Sequence, residues 1–306
     1  MTAVIVPFED CEPLLDWAEL GAALEAGHRL PPANIEDAIL RRKDDTLLSR
    51  SAWIDGLGIA VKSATVFPGN DGPGMATVNG AMTLFSDRDG RLEALIDFHL
   101  VTKWKTAGDS LLAARRLARP DSRDILIVGT GTVARSLREA YASLFPDAAF
   151  HVWGRRESAA RALAEAFPGT RVASDLEAAV RAADIVTSAT MASAPIIRGA
   201  WLRPGQHIDL IGAYRPDMRE ADDEAMRRAR VFVDSRASTI DSIGELIAPL
   251  QSGALCRAEV LADFYDLDSG GFSRNSDDEI TLFKNGGGAH LDLMTARYIL
   301  DRWAAR

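Results

Sequence analysis

Between Asp124 and Arg156 the chain reads DILIVGTGTVARSLREAYASLFPDAAFHVWGRR, and this stretch leaves little freedom in the fold. Residues 125–128 are an unbroken apolar run of strand length that stops at Gly129. From Val133 onward the apolar spacing turns helical, with Leu137, Tyr141 and Leu144 on one face. A second short strand, 150–153, follows a Pro-Asp turn. Strand, glycine turn, helix, strand is the opening half of a Rossmann unit. Within Gly129-Thr130-Gly131-Thr132-Val133-Ala134, Gly129 permits the tight turn and Gly131 lets backbone approach a pyrophosphate. Ala134 is small enough for helix and strand to pack closely, and the helix N-terminus offers N–H groups to phosphates.

The end of the second strand bears on which dinucleotide. An NAD site usually places an acid there for the ribose 2′-hydroxyl. Here the residues are Gly154, Arg155 and Arg156. Two guanidiniums and no acid suit a 2′-phosphate, so NADP(H) is the expected cofactor. Two solvated arginines opening a helix are the alternative, and they leave NAD(H) open. Ser188, Thr190 and Met191, at the end of a later Rossmann strand, are expected on the nicotinamide side.

The 306 residues are enough for two domains with real cores, and 47% hydrophobic with 26% charged residues is the balance of a soluble globular chain. A net charge of −9 argues against nucleic acid, whose phosphates require clustered Lys and Arg. Cys11 and Cys256 lie far apart and give no metal-ligand spacing. No basic leader precedes an apolar run at the start, and no apolar run approaches a membrane span. A cytoplasmic enzyme acting on a small molecule, with neither membrane nor nucleic-acid partner, is the expectation.

Along the chain, a short strand (3–6) leads into a helical pattern through Leu14, Trp17, Leu20 and Leu24. Pro31 and Pro32 break it, and 35–41 reads as another short helix. From 45 to 97 the pattern is strands, separated by turns rich in Gly, Asn and Asp at 68–74 and 87–90. Residues 102–118 read as a long helix stopped by Pro120. Beyond the Rossmann motif, strands and helices alternate as in a parallel sheet, closing with 230–234, and the segment from Glu279 through the last helix is expected to return to the first domain. The fold class is therefore α/β: a Rossmann-type NAD(P)-binding domain (119–289) plus a strand-rich α+β substrate and dimerisation domain (1–118, rejoined by 290–306).

At this point the chain resembles the ornithine cyclodeaminase/mu-crystallin family over nearly its whole length. The resemblance rests on Val61-Lys62, Phe67-Pro-Gly-Asn70, Thr102-Lys-Trp-Lys-Thr-Ala107, the GTGTVA turn and Pro204-Gly-Gln-His-Ile208. It continues in Gly212-Ala-Tyr-Arg-Pro-Asp-Met-Arg-Glu220, Val233-Asp-Ser235, Phe283-Lys284, Gly288-Ala289 and Asp292. It implies a two-domain subunit, a homodimer built through the strand-rich domain, and a nicotinamide facing a pocket between domains. Members include a lyase that recycles NAD internally, alanine dehydrogenases, ketimine reductases and a crystallin that binds thyroid hormone.

The resemblance assigns Lys62 to the active site, where an ammonium can polarise or protonate an imine nitrogen or hold a carboxylate. The residues agree, since Lys62 alternates onto one strand face with the small Ala60 and Ala64. The family's carboxylate-gripping arginine is here Lys105, which keeps the charge but loses the bidentate fork. A second family arginine falls near Asn34, and Arg50 is a candidate replacement, a surface charge being its ordinary reading. Asp292 matches a family aspartate near the cofactor ring, while His290 reads equally as structural.

Tyr214 stands where the lyase has a catalytic aspartate, and a phenol of ordinary pKa near ~10 is no carboxylate base. The chain thus resembles the mu-crystallin/ketimine reductase branch. NAD(P)H-dependent reduction of the C=N bond of a small 2-imino acid or cyclic ketimine carboxylate is expected. A cyclodeaminase-type lyase, or an NADPH-dependent binding protein without turnover, is the alternative.

Overall fold

The computed structural model describes residues 3–70 and 75–306, so the turn expected at 68–74 lies partly outside the described residues. The chain forms two compact units, Met1–Lys105 with Gly288–Arg306, and Thr106–Gly287. Their division falls inside the long helix, thirteen positions short of the expected boundary at 118.

The first unit is built on a six-stranded sheet of β1 (Val4–Val6), β2 (Asn34–Arg42), β3 (Asp45–Ile54), β4 (Gly58–Val66), β5 (Val78–Phe85) and β6 (Leu92–Asp97). The spatial order is β1-β6-β5-β4-β3-β2, with β1 parallel to β6 and the remaining pairs antiparallel. Helix α1 (Trp17–His28) starts at a true cap: Asp16 Oδ1 accepts from the N–H groups of Ala18 and Glu19 at 2.8 and 3.0 Å. Leu14, read from sequence as part of that helix, belongs to a separate 3-10 turn, Glu12–Leu14.

The helix expected at 35–41 is corrected to the edge strand β2. Ile35 and Ile39 satisfy a helical spacing and a period of two equally well. Nine residues pair with β3 in unbroken register from Asn34↔Trp53 to Arg42↔Asp45. A two-residue turn closes that hairpin, with Lys43 in the left-handed region at φ 55°. Tertiary pairing, absent from any local window, decides the outcome.

The long helix α2 (Phe98–Leu117) leads out of the first unit. The second unit carries eight parallel strands: β7 (Asp124–Val128), β8 (Ala149–Trp153), β9 (Thr170–Val172), β10 (Ile185–Ser188), β11 (His207–Leu210), β12 (Ala229–Val233), β13 (Val260–Ala262) and β14 (Ile280–Lys284). Their order is β13-β12-β14-β11-β10-β7-β8-β9, so the direction of strand addition reverses between β7 and β10, the switch point of a Rossmann sheet. Helix α3 (Thr132–Leu144) follows the glycine turn after β7.

Two expectations are corrected here. The series does not close with 230–234, because β14 inserts between β11 and β12 and β13 adds at the edge. The segment from Glu279 does not return at once. Ile280–Lys284 completes the Rossmann sheet, and only from Gly288, with helix α4 (Ala289–Ala304), does the chain rejoin the first unit. Every residue of β14 is buried, as a central parallel strand requires.

Candidate active site

In the first unit, the alternation of β4 directs Ala60, Lys62 and Ala64 to the face covered by α4, which packs over β3, β4 and β5. The small neighbours leave room for the long lysine side chain. Its Nζ donates to Asp292 Oδ1 at 2.6 Å and lies 5.6 Å from the centroid of the Phe98 ring. Asp292 sits in the first turn of α4, where the helix dipole favours a carboxylate. Its second oxygen is buried without a hydrogen-bond partner among the described residues. Lys105, on α2, is also buried, and its ammonium forms no ion pair with a described residue.

Arg50 lies directly opposite Lys62 in the β3–β4 register, and Asp37 directly opposite Arg50 in the β2–β3 register. Arg50 therefore faces the same side as Lys62 while bound to Asp37 at 3.0 Å. It is neither a detached surface charge nor a free anchor. Lys62 and Lys105 against Asp292 leave one positive charge in excess, which an anionic ligand would balance.

The electrostatics follow from burial and these neighbours. Burial pushes the Lys62 ammonium down to about 8, with Asp292 opposing the fall and Lys105 adding to it. Burial by itself would raise the Asp292 carboxyl, but Lys62 and Lys105 outweigh it and hold the group below its usual range. The result is an acid that stays ionised beside an ammonium unusually ready to release its proton. His290, set aside at sequence level, is buried on the same first turn of α4, edge-on to His28 at 5.5 Å between ring centroids. Burial and then Lys105 lower its pKa to about 4, so it is neutral here at ordinary pH. Nothing in its local pattern separates it from the other four histidines; its setting arises from how α4 lies on the sheet.

The second unit presents the dinucleotide elements. Gly129 has φ 129°, and a Cβ there would stand 2.6 Å from the carbonyl oxygen of Ala189. Gly131 faces open space, as close approach of a phosphate demands, and caps α3 without using a side chain. Thr130, Thr132 and Val133 are on the rim, and Ala134 is buried against the sheet. A Cβ on Gly154 would meet the Thr130 methyl at 2.6 Å, so a side chain there would have to displace Thr130. Arg155 and Arg156 are exposed and form no ion pair among the described residues. At the end of β10, Ser188 is fully buried with its hydroxyl donated to Glu220, as is that of Thr190, while Met191 is exposed. Glu220, not singled out from sequence, is thus bound to the loop after β10; its only local signal was its place closing the 212–220 segment. Among the described residues no cluster could hold a metal ion, and no helix is long and apolar enough to cross a membrane.

An open glycine turn before a helix whose N-cap supplies no side chain, at the switch point of a parallel sheet, fits a dinucleotide. That geometry places the second unit in the Rossmann dinucleotide-binding class. The chain belongs to the ornithine cyclodeaminase/mu-crystallin family, whose model matches residues 52–306. Delta(1)-pyrroline-2-carboxylate reductase of Paracoccus denitrificans (strain Pd 1222) is 54% identical over 298 residues, 95% of this chain and 94% of that protein. Ketimine reductase mu-crystallin of Mus musculus is 32% identical over 248 residues, 81% of this chain and 77% of that protein. The structure of Thermococcus litoralis Delta(1)-pyrroline-2-carboxylate reductase in complex with NADH and L-proline superposes with a TM-score of 0.89 at 25% identity. It covers 98% of this chain and 97% of that one.

Proposed function

We propose that this protein reduces the C=N bond of a small cyclic ketimine carboxylate with NAD(P)H, Δ1-pyrroline-2-carboxylate being the first candidate. The observation that carries the reading is the buried Lys62–Asp292 pair with Lys105 beside it. The 54% identity to a reductase named for this substrate supports it.

The chemistry follows from the residues that are present. When bound, the reduced nicotinamide supplies a hydride. The imine carbon accepts it readily only if the nitrogen is protonated, and an ammonium shifted down to about 8 is a proton donor matched to neutral pH. Lys62 would protonate the imine nitrogen, readying the carbon for the hydride that a bound nicotinamide would supply, with a secondary amine as product. Asp292 orients Lys62 and stabilises its charged form before transfer. Its unpartnered oxygen is available to accept from a substrate N–H. Lys105 holds the substrate carboxylate, with Arg50 contributing field from its place opposite Lys62. The reverse oxidation releases a proton and is favoured at alkaline pH.

Tyr214 is exposed and interacts with Arg215, giving the position no carboxylate base for a lyase. The exposed Arg155 and Arg156 favour NADPH over NADH. The subunits are read as a homodimer formed through the strand-rich unit.

The test is direct. Incubated with Δ1-pyrroline-2-carboxylate and NADPH or NADH, the protein should consume cofactor absorbance and yield proline in equal amount. No turnover with this ketimine, its six-membered homologue, or 2-oxo acids with ammonia or methylamine sinks the reading. Tight binding of an aromatic carboxylate in that case would point to a binding protein instead. The same assay measures cofactor choice: kcat/KM should favour NADPH, and Arg155→Ala with Arg156→Ala should remove about tenfold or more of that preference, the scale of lost charge-assisted contacts. Equal use of both cofactors, unchanged in the variants, returns the assignment to NAD(H).

A further inference from the structure

The Glu220 carboxylate lies where two strand ends of the Rossmann sheet meet. Oε1 accepts from Ser188 Oγ at 2.6 Å, Thr190 N at 2.8 Å and Thr190 Oγ1 at 2.7 Å. Oε2 accepts from Gly212 N at 2.6 Å. Ser188 ends β10, and Gly212 stands just past the end of β11. Every donor comes from these two segments and the side chain has no exposure, so one carboxylate sets their separation.

Glu220 is itself fixed from behind. Its N–H and that of Ala221 donate to the Glu245 carboxylate at 2.7 and 3.0 Å, and its carbonyl accepts from Ile196 and Ile197 at 2.9 Å each. Lys284, buried at the end of β14, supplies the nearby positive charge and donates to Leu210 O and Asn285 O at 2.8 and 2.6 Å. Two acids and a lysine in the interior are a costly way to hold a loop, and apolar residues of similar volume commonly stabilise as well or better. What such a network provides is fixed geometry.

The geometry it fixes is that of residues 188–190. This run is pressed between two glycines: a Cβ on Gly129 would stand 2.6 Å from Ala189 O, and one on Gly212 would stand 2.0 Å from Thr190 O. It crosses the C-terminal ends of β7, β10 and β11, beside the switch point where the ring end of a dinucleotide is expected. We propose that Glu220 is a positioning residue for the nicotinamide half of the cofactor. Without touching the cofactor, it holds Ser188, Thr190 and Gly212 at the spacing the ring end requires. The proposal rests on the dinucleotide reading above.

Glu220→Gln keeps shape and removes one acceptor, turning an amide N–H₂ toward a backbone N–H. The measurement is fluorescence or calorimetric titration with NADPH, NADH and adenosine 2′,5′-bisphosphate, which lacks the nicotinamide half, together with steady-state kinetics. Reduced-cofactor affinity should fall about tenfold or more, the scale of one buried donor left without its acceptor. The bisphosphate should bind within about twofold of wild type, and KM for the ketimine should hold while kcat falls. Equal loss of the whole cofactor and the fragment, or no loss of either, overturns the positioning role. If Glu220→Gln fails to fold, Glu245→Gln, which loosens Glu220 from behind, should give the same selective loss in smaller measure. A uniform or absent effect there overturns the proposal too. A wild-type protein that binds neither nicotinamide cofactor removes the dinucleotide reading, and this proposal with it, an outcome distinct from a variant that loses both ligands alike.

Discussion

At the scale of single residues, the proposed chemistry turns on one proton. Lys62 is buried beside Asp292, and its pKa near 8 places the loss of its proton just above neutrality. On the proposed mechanism the protonated lysine is the active form in the reductive direction, so kcat/KM should be level below about 8 and decline as pH rises through it. Asp292, held below its usual range, contributes no limb near neutrality. Lys62→Met should lower kcat by about a hundredfold or more, the usual scale for a general acid, and abolish the alkaline decline. Lys105→Ala should act mainly on KM, because it removes binding made equally before and during reaction. A Lys62→Met enzyme with wild-type kcat rules the assignment out. Lys62 was singled out mainly through the family resemblance, with which its alternation with Ala60 and Ala64 on one strand face agreed. The tie between Arg50 and Asp37, the neutral His290 and the Glu220 network were not legible in the sequence, since each depends on sheet register or helix docking that no local pattern displays.

At the scale of elements, local pattern sufficed where one signal dominated and failed where two periods fitted. The glycine turn with its flanking strand and helix falls at β7 and α3, because GTGTVA admits few other conformations. Residues 35–41 fitted helix and strand alike, and pairing with β3 settled the matter. Ile280–Lys284 carries a buried lysine, which hides a central strand from any hydropathy reading; its partners are β11 and β12. The closest approach in the first sheet is at Gly80 on β5. A Cβ there would stand 2.3 Å from the backbone oxygen of Ser63 and 2.6 Å from the Phe98 ring, whose face lies toward Lys62. Backbone cannot yield as a flexible side chain can. Gly80→Ala should therefore destabilise the protein by about 1–3 kcal/mol, the usual cost of overpacking, seen as a lower urea midpoint at unchanged m-value. A midpoint equal to wild type would mean that the sheet spreads there without penalty.

At the scale of the whole molecule, the first unit's sheet has unequal faces. The Lys62 face is covered by α4, with Met82, Ile96 and Val6 buried along the same row. On the opposite face, the row Val61, Thr83, Leu95, Ile5 runs outward, with Leu95 38% and Ile5 72% exposed. Leu40, paired with Leu47 farther along that face, is 66% exposed, and Trp53 is 47% exposed. The edge strand β2 is exposed along all nine residues. A broad apolar sheet face beside an unpaired edge is more than a monomer ordinarily leaves in water, and both are the raw material of a sheet-mediated interface. A second copy is the simplest cover, because a two-fold axis lets one patch meet itself. The dimer expected from sequence rested on the strand-rich first domain and the family resemblance, since which strand residues stay uncovered depends on where α4 docks. Sedimentation equilibrium at micromolar concentration should return twice the subunit mass. Leu95→Glu would set two unpaired carboxylates, one from each copy, into that interface. Each should cost about 3–5 kcal/mol if fully desolvated, enough to leave monomers at the same concentration. A monomeric wild type, or a Leu95→Glu protein as dimeric as its parent, would show that this face has another use.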